Sequence, residues 1–427
     1  LLAVAGMKAP TVSMRVAVIG CGFIGLPAAV LAVGAGHTVI AFDTDPDRIE
    51  QLHHGHSYLP DVSDHDLDRA LATGRLIPTG NPDALAGFDV ALIAVPTPTT
   101  DDHPDLSYIE AASKTAATHL SLGATVILES TTYPGTTEHI VVPILETSGL
   151  QAGREFRVGY APERINPGTS IAELRSVPKI VAGIDDESRA AVAGFWSGLV
   201  DEVVLAPDIG TAELAKLVEN TFRLTNISLV NELTRNAHAL GVDIWQALAL
   251  AATKPFGYMP FHPSAGAGGH CLPSDTRYLV WRIRETAGAA APLIETAARI
   301  NDDMPAYVAN RIVAGIRRRQ PFLAGARAVV VGATYKADIP DLRESAALKV
   351  VEALRGLGMH VVVVDPLVHA DPDLAVASEL TVEHVADAAV VALLVAHRDL
   401  DYALIAGSKY VFDACGVLPA APNIERL

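Results

Sequence analysis

The strand-type run Arg15-Val16-Ala17-Val18-Ile19 leads directly into Gly20-Cys21-Gly22-Phe23-Ile24-Gly25. An alanine-rich stretch from Leu26 to Ala35 follows, then a second apolar run from Thr38 to Phe42 that ends on Asp43. Strand, glycine turn, helix, strand and acid in this order specify a dinucleotide-binding βαβ unit, which a bare glycine match would not. Gly20 makes the tight turn, Gly22 lets the backbone approach a pyrophosphate, and Gly25 lets the helix pack on the strand; Phe23 and Ile24 complete the cofactor-contacting turn. The amides opening the helix then face the anion. Asp43 follows Gly25 by 18 residues, where a carboxylate accepts hydrogen bonds from the ribose hydroxyls. Its charge repels a 2′-phosphate, which favours NAD over NADP.

Strand and helix alternation continues through Val90 to Val95, Thr125 to Leu128 and Lys179 to Ala182. Near Pro207 the pattern changes: Ile209 to Leu240 reads as one long helix, and helical segments run on to about Arg319. Alternation restarts at Ala328 to Gly332, with a helix from Ser345 to Leu357 and a strand from His360 to Asp365. The expected fold is α/β, with two Rossmann-like doubly wound domains joined by a long-helix connector. The boundaries are a disordered extension over 1–13, a dinucleotide domain over 14–206, a helical connector over 207–320 and a second Rossmann-like domain over 321–427. That second domain lacks a complete glycine fingerprint, so its cleft is expected to bind something other than the first dinucleotide.

Half of the residues are hydrophobic and 19% are charged, which describes a globular chain. Its apolar runs have the length of buried strands, well short of a membrane span. A net charge of −17 argues against nucleic acid as a partner but leaves room for a small phosphorylated ligand. Three cysteines without a pairing pattern indicate a reducing compartment, hence the cytoplasm. The scattered histidines, His53, His54 and His56 among them, have no metal-like partners, and no metal is expected.

One of those cysteines, Cys271, ends the run Ser264-Ala265-Gly266-Ala267-Gly268-Gly269-His270, and Asp275 follows it by four residues. A thiolate is the strongest nucleophile among ordinary side chains, and glycines let the backbone come close to a bound molecule. A sulfur on such a loop, in a chain that opens with a dinucleotide unit, points to covalent redox chemistry. If the chain turns helical after Cys271, Asp275 lies one turn beyond it. Lys216 and Asn220 are likewise four apart on the expected long helix and share one face of it.

Seven blocks in register carry a family resemblance from Arg15 to about Pro419. They are the turn from Gly20 to Pro27, Val95-Pro96-Thr97-Pro98-Thr99, Glu129 to Thr136, Ala161 to Gly168, Ala212-Glu213-Leu214-Ala215-Lys216, the Gly-Gly-His-Cys loop, and Tyr335 to Asp338 with Asp341 to Ser345. Together they resemble the nucleotide-sugar 6-dehydrogenases, the family of UDP-glucose dehydrogenase. Lys254 to Pro263, and His270 before the cysteine, look most like the branch acting on UDP-N-acetylglucosamine or UDP-N-acetylmannosamine.

The resemblance implies oxidation of a sugar C6 alcohol to a carboxylate with two NAD in sequence. The intermediate aldehyde would be held on Cys271 as a thiohemiacetal and then a thioester. Lys216 and Asn220 match the pair at the reacting carbon, Asp275 a residue that positions the lysine and a water, Glu163 the base of thioester hydrolysis, and Thr131 a hydroxyl on that water. Arg48 matches an arginine near the adenosine ribose; Val95, Pro96, Thr97, Thr99 and Ser130 match loops at the nicotinamide; Arg343 matches an arginine reaching the same NAD. Arg164, Phe261, Gly266, Gly268, Gly269, Tyr335 and Lys336 match positions on the nucleotide sugar. The long helix is expected to bury apolar surface against a second copy, giving a homodimer or larger homo-oligomer.

Three positions depart from the family pattern. Ser264-Ala265-Gly266 replaces a Gly-Pro-Gly, Thr276 replaces a proline, and Cys415 stands where an arginine usually meets the nucleotide sugar. Losing that guanidinium costs about 1.5–3 kcal/mol unless another cation substitutes. The alternatives are a UDP-glucose 6-dehydrogenase, a single-step β-hydroxy-acid dehydrogenase, which needs no thiol, and a non-catalytic NAD-binding sensor, against which the intact catalytic set argues.

Overall fold

The computed structural model describes residues 3–5, 12–100, 103–166, 168, 170–269, 271–320, 323, 325–368 and 376–427. His270 and Pro167, both within the resemblance blocks, lie outside the described residues. The chain divides into two compact units, 1–219 with 277–288 and 220–276 with 289–427.

In the first unit the strands are β1 (Ala3–Ala5), β2 (Arg15–Ile19), β3 (Thr38–Phe42), β4 (Leu76–Thr79), β5 (Val90–Ile93), a small hairpin of β6 (Thr99–Thr100) and β7 (His103–Pro104), β8 (Thr125–Leu128), β9 (Arg157–Tyr160), β10 (Lys179–Gly183) and β11 (Glu202–Leu205). Apart from the hairpin they form one nine-stranded sheet in the order β1-β11-β10-β9-β8-β5-β2-β3-β4. Its pairs are parallel except β9 with β10 and β1 with β11. Successive residues of β2 feed opposite cores. Val16 and Val18 pack with Leu26, Ala29 and Trp196, whereas Ala17 and Ile19 pack with Ile93, Ile109 and Leu128. Burial on both faces explains why these strands read as unbroken apolar runs. From β2 the chain turns to β3 on one side and later to β5 on the other, so the strand order reverses beside Gly20, where open α/β sheets form their binding crevice.

The stretch expected as a disordered extension contributes β1, antiparallel to β11. An edge strand offers a row of unpaired amides and carbonyls, and three extended residues suffice to meet it. So short a strand leaves no periodicity to read.

Two long helices, Ile209–Leu240 and Pro292–Arg317, lie in the chain between the two sheets. The second unit carries β12 (Arg327–Val331), β13 (His360–Val364), β14 (Val376–Ala377), β15 (Val390–Leu393), β16 (Val411–Asp413) and β17 (Ile424–Arg426) in an all-parallel sheet ordered β14-β13-β12-β15-β16-β17. It repeats part of the first unit's logic. Gly332 follows β12 with φ 86°, and Asp365, just past β13, accepts from the amides of Ala333 and Thr334 at 2.7 and 3.2 Å. His397 accepts the Asp338 amide on Nδ1, so its Nε2 carries the proton and donates to Asp365 at 3.0 Å. Among the described residues no helix is long and apolar enough to cross a membrane.

Candidate active site

The glycine turn has the shape a dinucleotide requires. Gly20 holds φ 96°, and a Cβ there would come 2.6 Å from the Ala94 carbonyl; one on Gly25 would strike the Gly20 carbonyl. Around Gly22, by contrast, a Cβ would meet nothing within 4 Å. Open space against the backbone at the start of the helix Gly25–Gly34 is what a pyrophosphate needs, so the residues present fit NAD. Asp43 is buried; its Oδ2 accepts the Cys21 amide at 2.8 Å and the Arg48 Nη1 at 3.3 Å. Arg48 rides on the helix Pro46–His53, capped by Asp45, so the acid and the arginine expected at the ribose do meet. Tyr58, absent from the sequence expectations, donates to the Cys21 carbonyl at 2.5 Å and lies under the Arg48 guanidinium. Burial first, then the charge of Asp43, pushes the Cys21 thiol far up, so it acts as a small apolar residue.

The Val95–Thr99 loop is held from two sides. Ser130 Oγ donates to the Val95 carbonyl at 2.8 Å, and the Tyr278 hydroxyl lies 2.6 and 2.9 Å from the carbonyls of Thr97 and Pro98. Glu213, within the block that leads to Lys216, accepts from the amides of Gly135 and Thr137 and from the Thr137 hydroxyl, tying the start of the long helix to the turn after β8. Lys216 and Thr131 are both buried.

Glu163 is no surface-loop glutamate. It is 9% exposed and accepts from the amides of Arg164 and Ile165 at 2.7 and 3.0 Å and from Lys179 Nζ at 2.8 Å. Burial alone would raise its pKa; the Lys179 charge, that hydrogen bond and the two amides together hold it below the ordinary carboxylate value. Arg164, expected at the substrate, pairs its guanidinium with Glu219 at 2.5 Å and donates to the Pro178 carbonyl at 2.9 Å.

In the second unit the helix Leu272–Ala287 begins immediately after Cys271 and places Asp275 one turn on, its amide donating to the Cys271 carbonyl at 2.9 Å. Asp275 is 3% exposed and takes a short hydrogen bond from the Asn220 amide group. Lys216 sits one turn before Asn220 on the same helix. The first turn of this helix thus ties Asp275 to the Cys271 backbone, and the body of the long helix supplies Asn220 to the same carboxylate.

The glycines before Cys271 answer to their own chain as much as to a ligand. A Cβ on Gly269, where φ is 84°, would lie 2.7 Å from the Tyr335 ring, and one on Gly268 would strike the Glu344 carbonyl. Asn301, unremarked in the sequence, clamps the loop by accepting the Ala267 amide at 2.6 Å and donating to its carbonyl at 3.0 Å. Ser264, one of the departures, restores a turn by accepting the Gly266 amide on its hydroxyl. Thr276, another, is buried and donates to the Leu272 carbonyl at 2.9 Å.

Arg343 grips Asp341 through both carboxylate oxygens. Burial alone would lower its pKa; Asp341, Cys271 and Tyr335 outweigh that and raise it, so the guanidinium stands within electrostatic reach of the thiol. Phe261 meets Phe222 edge to face at 5.9 Å. Tyr335 and Lys336 are half-buried. Cys415 lies against the Leu393 carbonyl, its thiol pushed up by burial and by Asp413.

A dinucleotide cradle on one α/β unit, and on the other a cysteine one helical turn before a buried acid that binds a carboxamide, fit a nucleotide-dependent oxidoreductase. Residues 14–195 match the NAD binding domain of the UDP-glucose/GDP-mannose dehydrogenase family, 210–303 its central domain and 329–420 its UDP binding domain. The chain belongs to that family, and it is an NAD-dependent oxidoreductase of the nucleotide-sugar dehydrogenase type. It is 37% identical over 363 residues to the UDP-N-acetyl-D-mannosamine dehydrogenase of Pyrococcus horikoshii, covering 84% of this chain and 85% of that one. It is also 37% identical over 366 residues to the UDP-N-acetyl-D-glucosamine 6-dehydrogenase of Pseudomonas aeruginosa, covering 84% of each. The solved UDP-D-ManNAc dehydrogenase from P. horikoshii superposes with a TM-score of 0.89 at 33% identity, covering 97% of this chain and 99% of that one.

Proposed function

We propose that the chain oxidises the C6 alcohol of a UDP-N-acetylhexosamine, UDP-N-acetylglucosamine or its manno epimer, to the uronic acid through a thioester on Cys271. The observation that carries this reading is the thiol placed one helical turn before an Asp275 already bonded to Asn220. A one-step alcohol dehydrogenase has no use for that arrangement. The N-acetylated branch is supported by the Lys254–Pro263 block and by the names of the two relatives above.

The Gly20–Gly25 turn would hold the NAD pyrophosphate, Asp43 with Arg48 the ribose, and the Val95–Thr99 loop with Ser130 the nicotinamide half; Arg343 would reach the same NAD. Bound NAD accepts a hydride at each of the two oxidations. Lys216 stabilises the alkoxide as the first hydride leaves, and Asn220 and Asp275 orient the oxygen. The Cys271 thiolate adds to the aldehyde, so that the half-oxidised sugar cannot escape. Loss of the second hydride leaves a thioester. Water held by Thr131 and deprotonated by Glu163 then attacks it, giving the carboxylate and freeing the thiol. Tyr335, Lys336, Arg164, Phe261 and the loop glycines would grip the nucleotide sugar.

A three-part division at 14–206, 207–320 and 321–427 is supported by the three matched family segments. A homodimer is supported by the exposed apolar row on the long helix, Val218 (53%), Phe222 (48%), Leu229 (51%) and Leu233 (43%). The test of the reaction is NADH formed per UDP-sugar across a panel of hexoses. Two per sugar, lost in Cys271→Ser, supports it; one per sugar without need of the thiol points to a simple dehydrogenase, and no turnover to a sensor.

A further inference from the structure

Lys179 falls in none of the seven sequence blocks that carry the resemblance and opens an otherwise apolar strand, β10, yet it is only 4% exposed. Its Nζ stands 2.8 Å from Glu163 Oε2, 3.9 Å from Glu129 Oε2 and 4.0 Å from the centroid of the Trp196 ring. Glu129, immediately after β8, is fully buried with no hydrogen-bond partner on either oxygen. Burial pushes it up to about 8; Lys179 opposes the shift and Glu163 adds to it. One buried cation therefore faces two carboxyl groups whose pKa values are driven apart, Glu163 down and Glu129 up. The neighbouring guanidinium of Arg164 is turned to Glu219 and does not compete.

We infer that Lys179 is the positioning residue of thioester hydrolysis, aiming the Glu163 carboxylate through its 2.8 Å contact while Trp196 and Glu129 wall the ammonium in. The inference rests on Glu163 acting as the base. Two amides occupy Oε1 and Lys179 takes one side of Oε2, which leaves the other side of Oε2 for the proton of water. In the step itself the water oxygen bonds to the thioester carbon as its proton passes to Glu163. The C–S bond then breaks, the electron pair leaves on Cys271 as thiolate, the carboxylic acid so formed loses its remaining proton to solvent and departs as carboxylate, and Glu163 likewise returns its proton to solvent. No electrons are exchanged.

The test follows the acyl-enzyme in single turnovers with NAD and the best UDP-sugar, by rapid quench and intact-protein mass spectrometry. Lys179→Met should release two NADH per site at near wild-type rate, then accumulate thioester as hydrolysis slows by about 100-fold, the scale of a mispositioned general base. The acid limb of hydrolysis should move to higher pH, and Lys179→Arg should recover most of the rate. If Glu163→Gln accumulates thioester and Lys179→Met does not, this inference fails and the role of Glu163 stands. If Glu163→Gln itself accumulates none, the reading of Glu163 as base fails instead. Accumulation in Lys179→Met with an unmoved acid limb would mark the lysine as merely structural and overturn the inference. Should Lys179→Met not fold, the wild-type enzyme decides: after a pH jump its hydrolysis rate should stay level down to below pH 4.5, the ordinary glutamate value, and a fall centred above that value would overturn the proposal.

Discussion

Glu129 shows how far a single buried acid departs from its ordinary behaviour. Its folded-state pKa is raised from 4.5 to about 8, so folding takes up a proton between those values. The stability that the neutral acid contributes is complete below pH 4.5 and is lost as pH rises through about 8. Glu129→Gln, which mimics the neutral form at every pH, should therefore melt like wild type at pH 5 and above it at pH 9; fluorimetric melts across that range check it. At Gly269 the constraint is steric. With φ at 84° and the Tyr335 ring 2.7 Å from any Cβ, Gly269→Ala should cost about 1–3 kcal/mol and displace the neighbouring thiol. A lowered melting temperature together with slowed labelling of Cys271 by a thiol reagent would register both effects.

Among the elements, the Val95–Thr99 loop depends on a side chain far from it in sequence. Tyr278 is fully buried and its hydroxyl lies against two loop carbonyls. Tyr278→Phe removes that donor at a cost of about 1–3 kcal/mol. If the loop lines the nicotinamide as proposed, the KM for NAD should rise while that for the UDP-sugar holds; steady-state kinetics with each substrate varied separately tests the split. The central strands of both sheets and the long helix were legible from apolar runs and helical length, because both sheet faces are buried there and the signal is continuous; short edge strands such as β1, β14 and β17 were not. Tyr278, Asn301 and Lys179 were not. Their partners lie at Thr97, Ala267 and Glu163, and a tyrosine, an asparagine or a lysine carries no periodic mark of what it will touch.

For the whole molecule the exposed row on the Ile209–Leu240 helix sets an expectation of assembly. Phe222→Asp with Leu229→Asp places two charges where apolar surface would be covered, and the protein should shift from dimer to monomer in sedimentation velocity at micromolar concentration. Unchanged sedimentation would remove this face as the interface.

The sequence by itself determined the dinucleotide unit, the acid that ends its second strand, the two α/β halves and the cysteine after the glycine run, since each is written in adjacent residues whose backbone chemistry is local. Only the tertiary structure decided that Glu163 is a buried, lysine-held carboxylate, that Asn220 binds Asp275 across 55 residues of chain, and that the glycines before Cys271 make room for Tyr335 and Glu344. Those outcomes depend on desolvation and close packing between distant segments, and neither exists until the chain has folded.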